Sequence, residues 1–192
     1  GFTSFSEKMP PTALIELVNR SLGRFAEIVI AHDGMVDKFI GDCIMAVWGV
    51  PIETADHAAR ACAAALEMVA ALDVIAAEER ARSGVELSAR VGINSGLVVA
   101  GNVGGGSRFN FTVLGNEVNL ASRLEGSNKE YGTTLIVSEA TVAELTEPFT
   151  LRELDLIRVK GKNEAVRIFE LRRTPLPEDA ARAFAEGLAL YR

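Results

Sequence analysis

Cysteine is scarce in this chain, and its sequence contains no long apolar run. Two cysteines occur in 192 residues, too few for the disulfide framework of a small secreted domain. Cys43 and Cys62 lie in apolar surroundings without metal-ligand spacing, so we expect both to be buried, reduced thiols. No stretch approaches the roughly 20 apolar residues that span a bilayer, and no signal-peptide pattern opens the chain. We therefore expect a cytoplasmic domain that does not itself cross a membrane. This expectation allows for a membrane anchor elsewhere in a longer parent chain.

Positive charge is also limited. The chain has 20 lysines and arginines against 26 acidic residues, which gives a net charge of −6, and its basic residues form no cluster. Nucleic acids attract strongly basic surfaces, so this balance argues against a nucleic acid as the main partner. Any site for phosphate must be built from a few local residues.

Hydrophobic periodicity predicts an α+β fold. Apolar residues recur at steps of three and four over residues 11–31, which is typical of a helix with one buried face. The same reasoning predicts a hairpin of residues 35–40 and 44–48, helices over 54–82 and 116–127, strands over 85–94, 109–114, 150–159 and 166–171, and a glycine-broken loop over 101–106. This order is typical of helices packed on an antiparallel sheet.

The two ends of the chain suggest a domain and an appendage. We predict one domain over residues 1–174, followed by a linker and the start of a C-terminal helix over 175–192, because Pro175 and Pro177 precede a helical pattern. The chain opens without methionine and closes inside the predicted helix. We therefore expect it to be part of a longer protein that also carries a regulatory domain.

A first motif lies in the predicted hairpin and reads VDKFIGDCIMAVWG over residues 36–49. Lys38 and Asp42 flank Gly41, so that an ammonium and a carboxylate lie four residues apart near the tip of the hairpin. Taken alone, Asp42 is explained by turn propensity and Lys38 by a solvated strand position. The motif becomes informative only together with the second one.

The second motif reads FTVLGNEVNLASR over residues 111–123. Gly115 opens the predicted helix, and the four-residue spacing of Asn119 and Arg123 places both side chains on one helical face. An amide and a guanidinium at that spacing are common on solvated helices. A guanidinium is nevertheless well suited to phosphate, since it presents a planar fork of donors.

In this order, the two motifs resemble the catalytic domain of class III nucleotidyl cyclases, which convert ATP or GTP into the cyclic 3',5'-monophosphate. The resemblance covers nearly the whole chain. It implies a ferredoxin-like antiparallel sheet with helices packed on it, whose first strand is largely truncated here. It also implies a head-to-tail homodimer with two sites at the interface, each built from both subunits.

The resemblance assigns roles to individual residues. Asp42 would bind metal together with a second aspartate expected just upstream of Gly1, and the two would hold two Mg²⁺ or Mn²⁺ ions per site, which assist attack of the ribose 3'-hydroxyl on the α-phosphate. Asn119 would orient the ribose, and Arg123 would stabilise the transition state. The remaining phosphate contacts would come from Lys160, with Lys162 a weaker candidate, and from the backbone amides of Phe2 and Thr3.

Lys38 and Thr112 are the expected base-reading residues. Adenine offers an acceptor at N1 and a donor at its 6-amino group, which match a lysine and a hydroxyl, whereas guanine reverses both edges. The pair therefore predicts ATP as the substrate. Thr112 departs from the aspartate that is commonest in the family and matches a Lys/Thr subgroup that includes bicarbonate-responsive enzymes.

Three functions stay open at this point. An adenylate cyclase is favoured. A catalytically degenerate domain that binds nucleotide or dimerises is the second, because the expected upstream aspartate is not in the sequence. A guanylate cyclase is the third, and Lys38 argues against it.

Overall fold

The computed structural model describes residues 9–106, 108–158 and 165–191. Its helices are α1 (Pro11–Ala31), α2 (His57–Ser83), α3 (Asn116–Tyr131), α4 (Glu139–Ala143) and α5 (Glu178–Tyr191). Its strands are β1 (Met35–Ile40), β2 (Cys43–Val47), β3 (Val91–Ile93), β4 (Val99–Gly105), β5 (Arg108–Leu114), β6 (Leu135–Ser138), β7 (Thr150–Ile157) and β8 (Val166–Arg172). The chain divides into two compact units, Gly1–Ala89 with Ala100–Val113, and Arg90–Val99 with Leu114–Arg192.

The first unit packs two helices and a hairpin together. The apolar stripe of α1 contacts α2 and both strands of the β1–β2 hairpin, and α2 buries alanines together with Cys62. Small residues along α2 allow a close helix approach. The end of α1 is fixed to the hairpin because the indole N–H of Trp48 donates to the carbonyl of His32 at 2.9 Å, while a side chain on Gly34 would collide with the indole ring.

The two cysteines of the first unit differ in environment. Burial raises the pKa of the Cys62 thiol to about 12, which agrees with the expected buried thiol. Cys43 is exposed, so the expectation that it is buried was wrong. Cys43 is the first residue of β2, directly after the turn at the hairpin tip. Its neighbours in the sequence are apolar, but the tip itself is exposed.

The second unit is built on a sheet in which β3, β6, β8 and β7 are neighbours in that order. β3 pairs parallel with β6, whereas β6 with β8 and β7 with β8 are antiparallel. The core between α3 and the sheet consists of buried aliphatic side chains: Leu120, Leu124, Ile136, Leu154, Val166 and Ile168. The expected α+β class is confirmed, with one parallel pairing inside the otherwise antiparallel sheet.

Several element boundaries differ from expectation. Helix α1 has the predicted bounds. Of the predicted strand 85–94, only Val91–Ile93 forms a strand. In residues 85–90 the apolar residues are more buried than their neighbours, as the alternation predicts, but these residues are not assigned to a strand. The glycine-rich residues predicted as a loop instead form β4, which pairs with β5. Helix α3 continues past Gly126 to a left-handed cap at Gly132. Strand β6 was not predicted because all its residues are buried, which hides the alternation.

None of the described helices is long and apolar enough to cross a membrane.

Helix α3 lies so close to β3 that Gly92 has no room for a side chain. An added Cβ there would collide with the carbonyl oxygen of Ala121 and the backbone amide of Glu125, and backbone cannot move aside as a flexible side chain can. We expect Gly92→Ala to lower the free energy of unfolding by roughly 1–3 kcal/mol, as overpacking does. Urea denaturation followed by circular dichroism measures the change.

Gly126→Ala is the matched control. Gly126 is an exposed glycine in the interior of α3, and a Cβ there meets nothing within 4 Å. Its helix propensity alone should raise the free energy of unfolding by about 1 kcal/mol. Equal effects of the two substitutions would contradict the close packing of α3 on β3.

Candidate functional site

A polar cluster joins β1 to β5 within the first unit. The Lys38 ammonium donates to Thr112 Oγ1 at 2.8 Å, and the Thr112 hydroxyl donates to Asp37 Oδ2 at 2.6 Å. The backbone N–H of Val113 donates to the same Asp37 oxygen at 3.3 Å. Lys38 Nζ also lies 3.0 Å from Asp37 Oδ1. Residues 74 or more positions apart in the chain therefore share one network.

A β-bulge explains how Asp37 and Lys38 reach the same hydroxyl. Consecutive side chains of a regular strand point to opposite faces. In the hairpin, Val36 pairs with Ala46 but Lys38 pairs with Met45, so Asp37 is the extra residue. Such a bulge re-aims side chains locally, and it allows both neighbours to converge on Thr112.

The electrostatics of the cluster keep Asp37 ionised. Its side chain is fully buried, with 0% exposed, and this burial by itself raises the pKa. The hydrogen bonds from Thr112, Lys38 and the Val113 amide, together with the charge of Lys38, outweigh burial, so the pKa of Asp37 lies below its usual 3.8. At neutral pH, Asp37 is a carboxylate and can only accept hydrogen bonds.

Asp42 occupies the tip of the same hairpin. Gly41 before it has a φ of 62°, a left-handed conformation that glycine adopts without steric cost. This turn leaves Asp42 exposed. Within residues 9–106, 108–158 and 165–191, no group of three or more histidine, cysteine, aspartate or glutamate side chains is placed to hold a metal ion. Asp42 and the aspartate expected before Gly1 stay predicted ligands.

Asn119 and Arg123 lie on α3 in the second unit. Asn119 is exposed and Arg123 is half-buried, while the neighbouring Leu120 and Leu124 face the core. The four-residue spacing predicted from sequence therefore places the amide and the guanidinium on one face of α3, which is not the face that Leu120 and Leu124 bury.

Helix α3 is held firmly along β3 and the residues that follow it. The side-chain amide of Asn94 donates to Glu117 Oε2 at 2.8 Å and to the Glu117 carbonyl at 3.1 Å. At the other end, the amide of buried Asn128 donates to the Val91 carbonyl at 2.9 Å. Together with the close approach at Gly92, these contacts fix where Asn119 and Arg123 project.

The structure brings some predicted site residues together and adds one that the sequence reasoning missed. Lys38 and Thr112 are in direct contact, although their role toward a base stays a prediction. Phe2, Thr3, Lys160 and Lys162 lie outside the described residues. Asp37 was missed because a regular strand would point it away from Lys38. The available signal was a carboxylate inside an otherwise apolar strand, next to a predicted functional lysine.

The charge state of Asp37 generates a prediction about pH. A carboxylate with a lowered folded-state pKa contributes stability above its unfolded pKa and loses it as pH falls through the folded value. Asp37→Asn should therefore be less stable than the unchanged protein at pH 7, and the difference should shrink as pH falls below about 3.8, the usual pKa of an aspartate. Urea denaturation of both proteins across pH 3 to 7 measures it. A difference that does not vary with pH would contradict the ionised cluster.

Known proteins resemble this chain over most of its length. Residues 1–172 match the family model described as the adenylate and guanylate cyclase catalytic domain. Adenylate cyclase 1 of Rhizobium meliloti is 37% identical over 170 residues, which is 88% of this chain but 26% of that protein. The chain thus spans about a quarter of that curated relative.

Solved structures agree with the match. The structure of the adenylyl cyclase CyaB from P. aeruginosa superposes with a TM-score of 0.83 at 31% identity and covers 91% of this chain and 89% of that one. The structure of the guanylyl cyclase Cya2 gives a TM-score of 0.79, also at 31% identity, and covers 93% and 88%. Overall likeness therefore does not separate an adenylyl cyclase from a guanylyl cyclase.

Proposed function

This chain belongs to the adenylate and guanylate cyclase catalytic domain family, and from this membership we propose that it is an adenylate cyclase. The reaction converts ATP into 3',5'-cyclic AMP and pyrophosphate. The observation that carries the proposal is the contact of Lys38 Nζ with Thr112 Oγ1 at 2.8 Å. This contact unites the two residues that match the adenine edge.

The chemistry of the base explains the preference. Lys38 can donate to N1 of adenine, and Thr112 can accept from the 6-amino group. Guanine carries a proton at N1 and an acceptor at O6. The Lys38 ammonium would then face the N1–H donor, and the accepting oxygen of Thr112 would face O6. A site built to hydrogen-bond one edge rejects the other strongly, because its polar groups are then left unpaired.

Residues of the second unit would serve the phosphate and ribose. In the reaction, the 3'-oxygen forms a bond to the α-phosphorus, the bond to the pyrophosphate oxygen breaks, and the hydroxyl proton is lost. The guanidinium of Arg123 would meet charge developing on the α-phosphate, and the amide of Asn119 would hold the ribose so that its 3'-oxygen lies in line. Lys160 and the amides of Phe2 and Thr3 are proposed contacts of the remaining phosphates.

The carboxylate at the hairpin tip fits a divalent cation as its ligand. Asp42 offers an exposed carboxylate, which is the ligand type that Mg²⁺ or Mn²⁺ takes together with substrate phosphates and water. We propose that Asp42 and an aspartate preceding Gly1 would hold two such ions. When bound, they would lower the pKa of the 3'-hydroxyl and neutralise charge on the phosphates.

We place two sites in a head-to-tail homodimer. Each would take Asp42 from one subunit and Lys38, Thr112, Asn119 and Arg123 from its partner. Apolar side chains of the β4–β5 hairpin support an interface, since Val103 is 44% and Phe109 59% exposed. Exposed apolar groups on neighbouring strands are typical of association surfaces. The catalytic domain would comprise residues 1–174 within a longer cytoplasmic protein that also carries a regulatory domain, with residues 175–192 as linker and helix.

A degenerate nucleotide-binding or dimerisation module is the second candidate. A guanylate cyclase is the third: the likeness to Cya2 supports it, whereas Lys38 argues against it. The assay below separates the three, because an adenylate cyclase forms cyclic AMP, a guanylate cyclase forms cyclic GMP and a degenerate module forms neither.

Cyclic AMP formation tests the proposal. With the chain extended at its N-terminus to include the expected aspartate, ATP and Mg²⁺ or Mn²⁺ should give cyclic AMP, and GTP should give far less cyclic GMP. Asp42→Ala and Arg123→Ala should each lower kcat about 100-fold or more, the usual loss of a transition-state contact. Arg182→Ala, an exposed arginine of α5, is the control and should keep full activity. A folded dimer without turnover would leave the module hypothesis.

Subunit mixing tests the shared sites. A heterodimer of Asp42→Ala and Arg123→Ala subunits would contain one site with both residues intact and one that lacks both. Random exchange makes half of the dimers mixed, so an equal mixture of the two inactive proteins should recover about a quarter of the activity of the unchanged protein. Native mass spectrometry would verify the exchange. Exchange without any recovery would show that Asp42 and Arg123 act within one subunit's site.

A further inference from the structure

A threonine hydroxyl alone does not distinguish adenine from guanine. It can donate one hydrogen bond and accept two, so it could accept from the 6-amino group of adenine or, after rotation, donate to O6 of guanine. Thr112 would discriminate only if the direction of its proton were fixed. The question is therefore which neighbour fixes it.

Asp37 fixes that proton. The Thr112 hydroxyl donates to Asp37 Oδ2 at 2.6 Å, and the carboxylate has no proton to offer in return. The Asp37 side chain is fully buried, so water does not compete for the contact. A second donor, the Val113 amide at 3.3 Å, holds the same oxygen in place.

Lys38 currently occupies the accepting side of Thr112. Its ammonium donates to Thr112 Oγ1 at 2.8 Å and lies 3.0 Å from Asp37 Oδ1. Thr112 is 4% exposed, whereas the Lys38 side chain is 39% exposed, so a base reaches the hydroxyl by displacing the lysine. Movement of Lys38 to N1 of adenine would vacate a lone pair on Thr112 for the 6-amino group.

We propose that Asp37 is a positioning residue that holds Thr112 as a hydrogen-bond acceptor and thereby sets the preference for adenine over guanine. The inference rests on the proposed function, since it concerns how the same site chooses its base. Asp37 touches no substrate atom in this account and acts only through Thr112 and Lys38. Guanine would meet an accepting oxygen opposite its own O6.

Asp37→Asn is the direct test. An asparagine amide can donate to Thr112 Oγ1, which frees the threonine proton to point at the base. The ratio of kcat/KM for ATP to that for GTP should therefore fall about tenfold or more. Equilibrium titration with fluorescent ATP and GTP analogues should show the same relative gain for GTP without depending on turnover.

Two controls separate positioning from a structural role. Trp48→Phe removes the 2.9 Å bond from the indole N–H to the His32 carbonyl and so perturbs the same hairpin without touching Thr112. It should lower both activities together and keep their ratio. In a Thr112→Val background, Asp37→Asn should no longer change the ratio, because the hydroxyl through which it acts is gone.

The outcomes distinguish this inference from the function on which it rests. An unchanged protein that prefers ATP, with the same preference in Asp37→Asn, would overturn the inference and leave the proposed function standing. The inference is also overturned if Asp37→Asn shifts the ratio equally with and without the Thr112 hydroxyl. An unchanged protein that prefers GTP in both turnover and binding, or binds neither nucleotide, would overturn both.

Discussion

The buried carboxylate of Asp37 is the constraint on which the first unit's polar site depends. Burying a charge is costly unless it is paired and hydrogen-bonded. Asp37 meets this cost with donors from two strands: Lys38 beside it on β1, and Thr112 and the Val113 amide on β5. The same contacts that make the charge tolerable therefore join the two strands and orient both expected base-reading side chains. In our proposal, the same hydrogen bonds that stabilise the buried charge also set the base preference.

The second unit uses close packing where the first uses charge. Gly92 allows the backbone of α3 to approach β3, and the amides of Asn94 and Asn128 tie the helix to this strand region at both ends. A rigid helix would suit the proposed role of Arg123 in meeting a transient charge, since small displacements weaken such contacts. The aliphatic core beneath α3 also fixes the helix, because Leu120 and Leu124 are buried in it while Asn119 stays exposed and Arg123 half-buried.

The sequence reveals the family and the main elements of this domain, but not the detail that unites its site. Helix α1 followed directly from periodicity, as did the α+β class. The resemblance implied a shared base-reading role for Lys38 and Thr112, and the structure adds that the two side chains are in contact. The carboxylate of Asp37 stands out in its apolar strand, but its contact with Thr112 does not follow from the sequence, because the bulge that turns it is a property of strand pairing and not of local pattern. Strands β4 and β6 were missed for a similar reason, since glycines in one and complete burial in the other erase the alternation that marks a strand.

We propose that the cluster of Asp37, Lys38 and Thr112 makes this cyclase domain choose adenine. In the decisive competition assay, equimolar ATP and GTP are supplied together to the N-terminally extended protein, and the cyclic products are quantified by mass spectrometry. We expect cyclic AMP in large excess over cyclic GMP. Equal amounts of the two, or an excess of cyclic GMP, would contradict the claim.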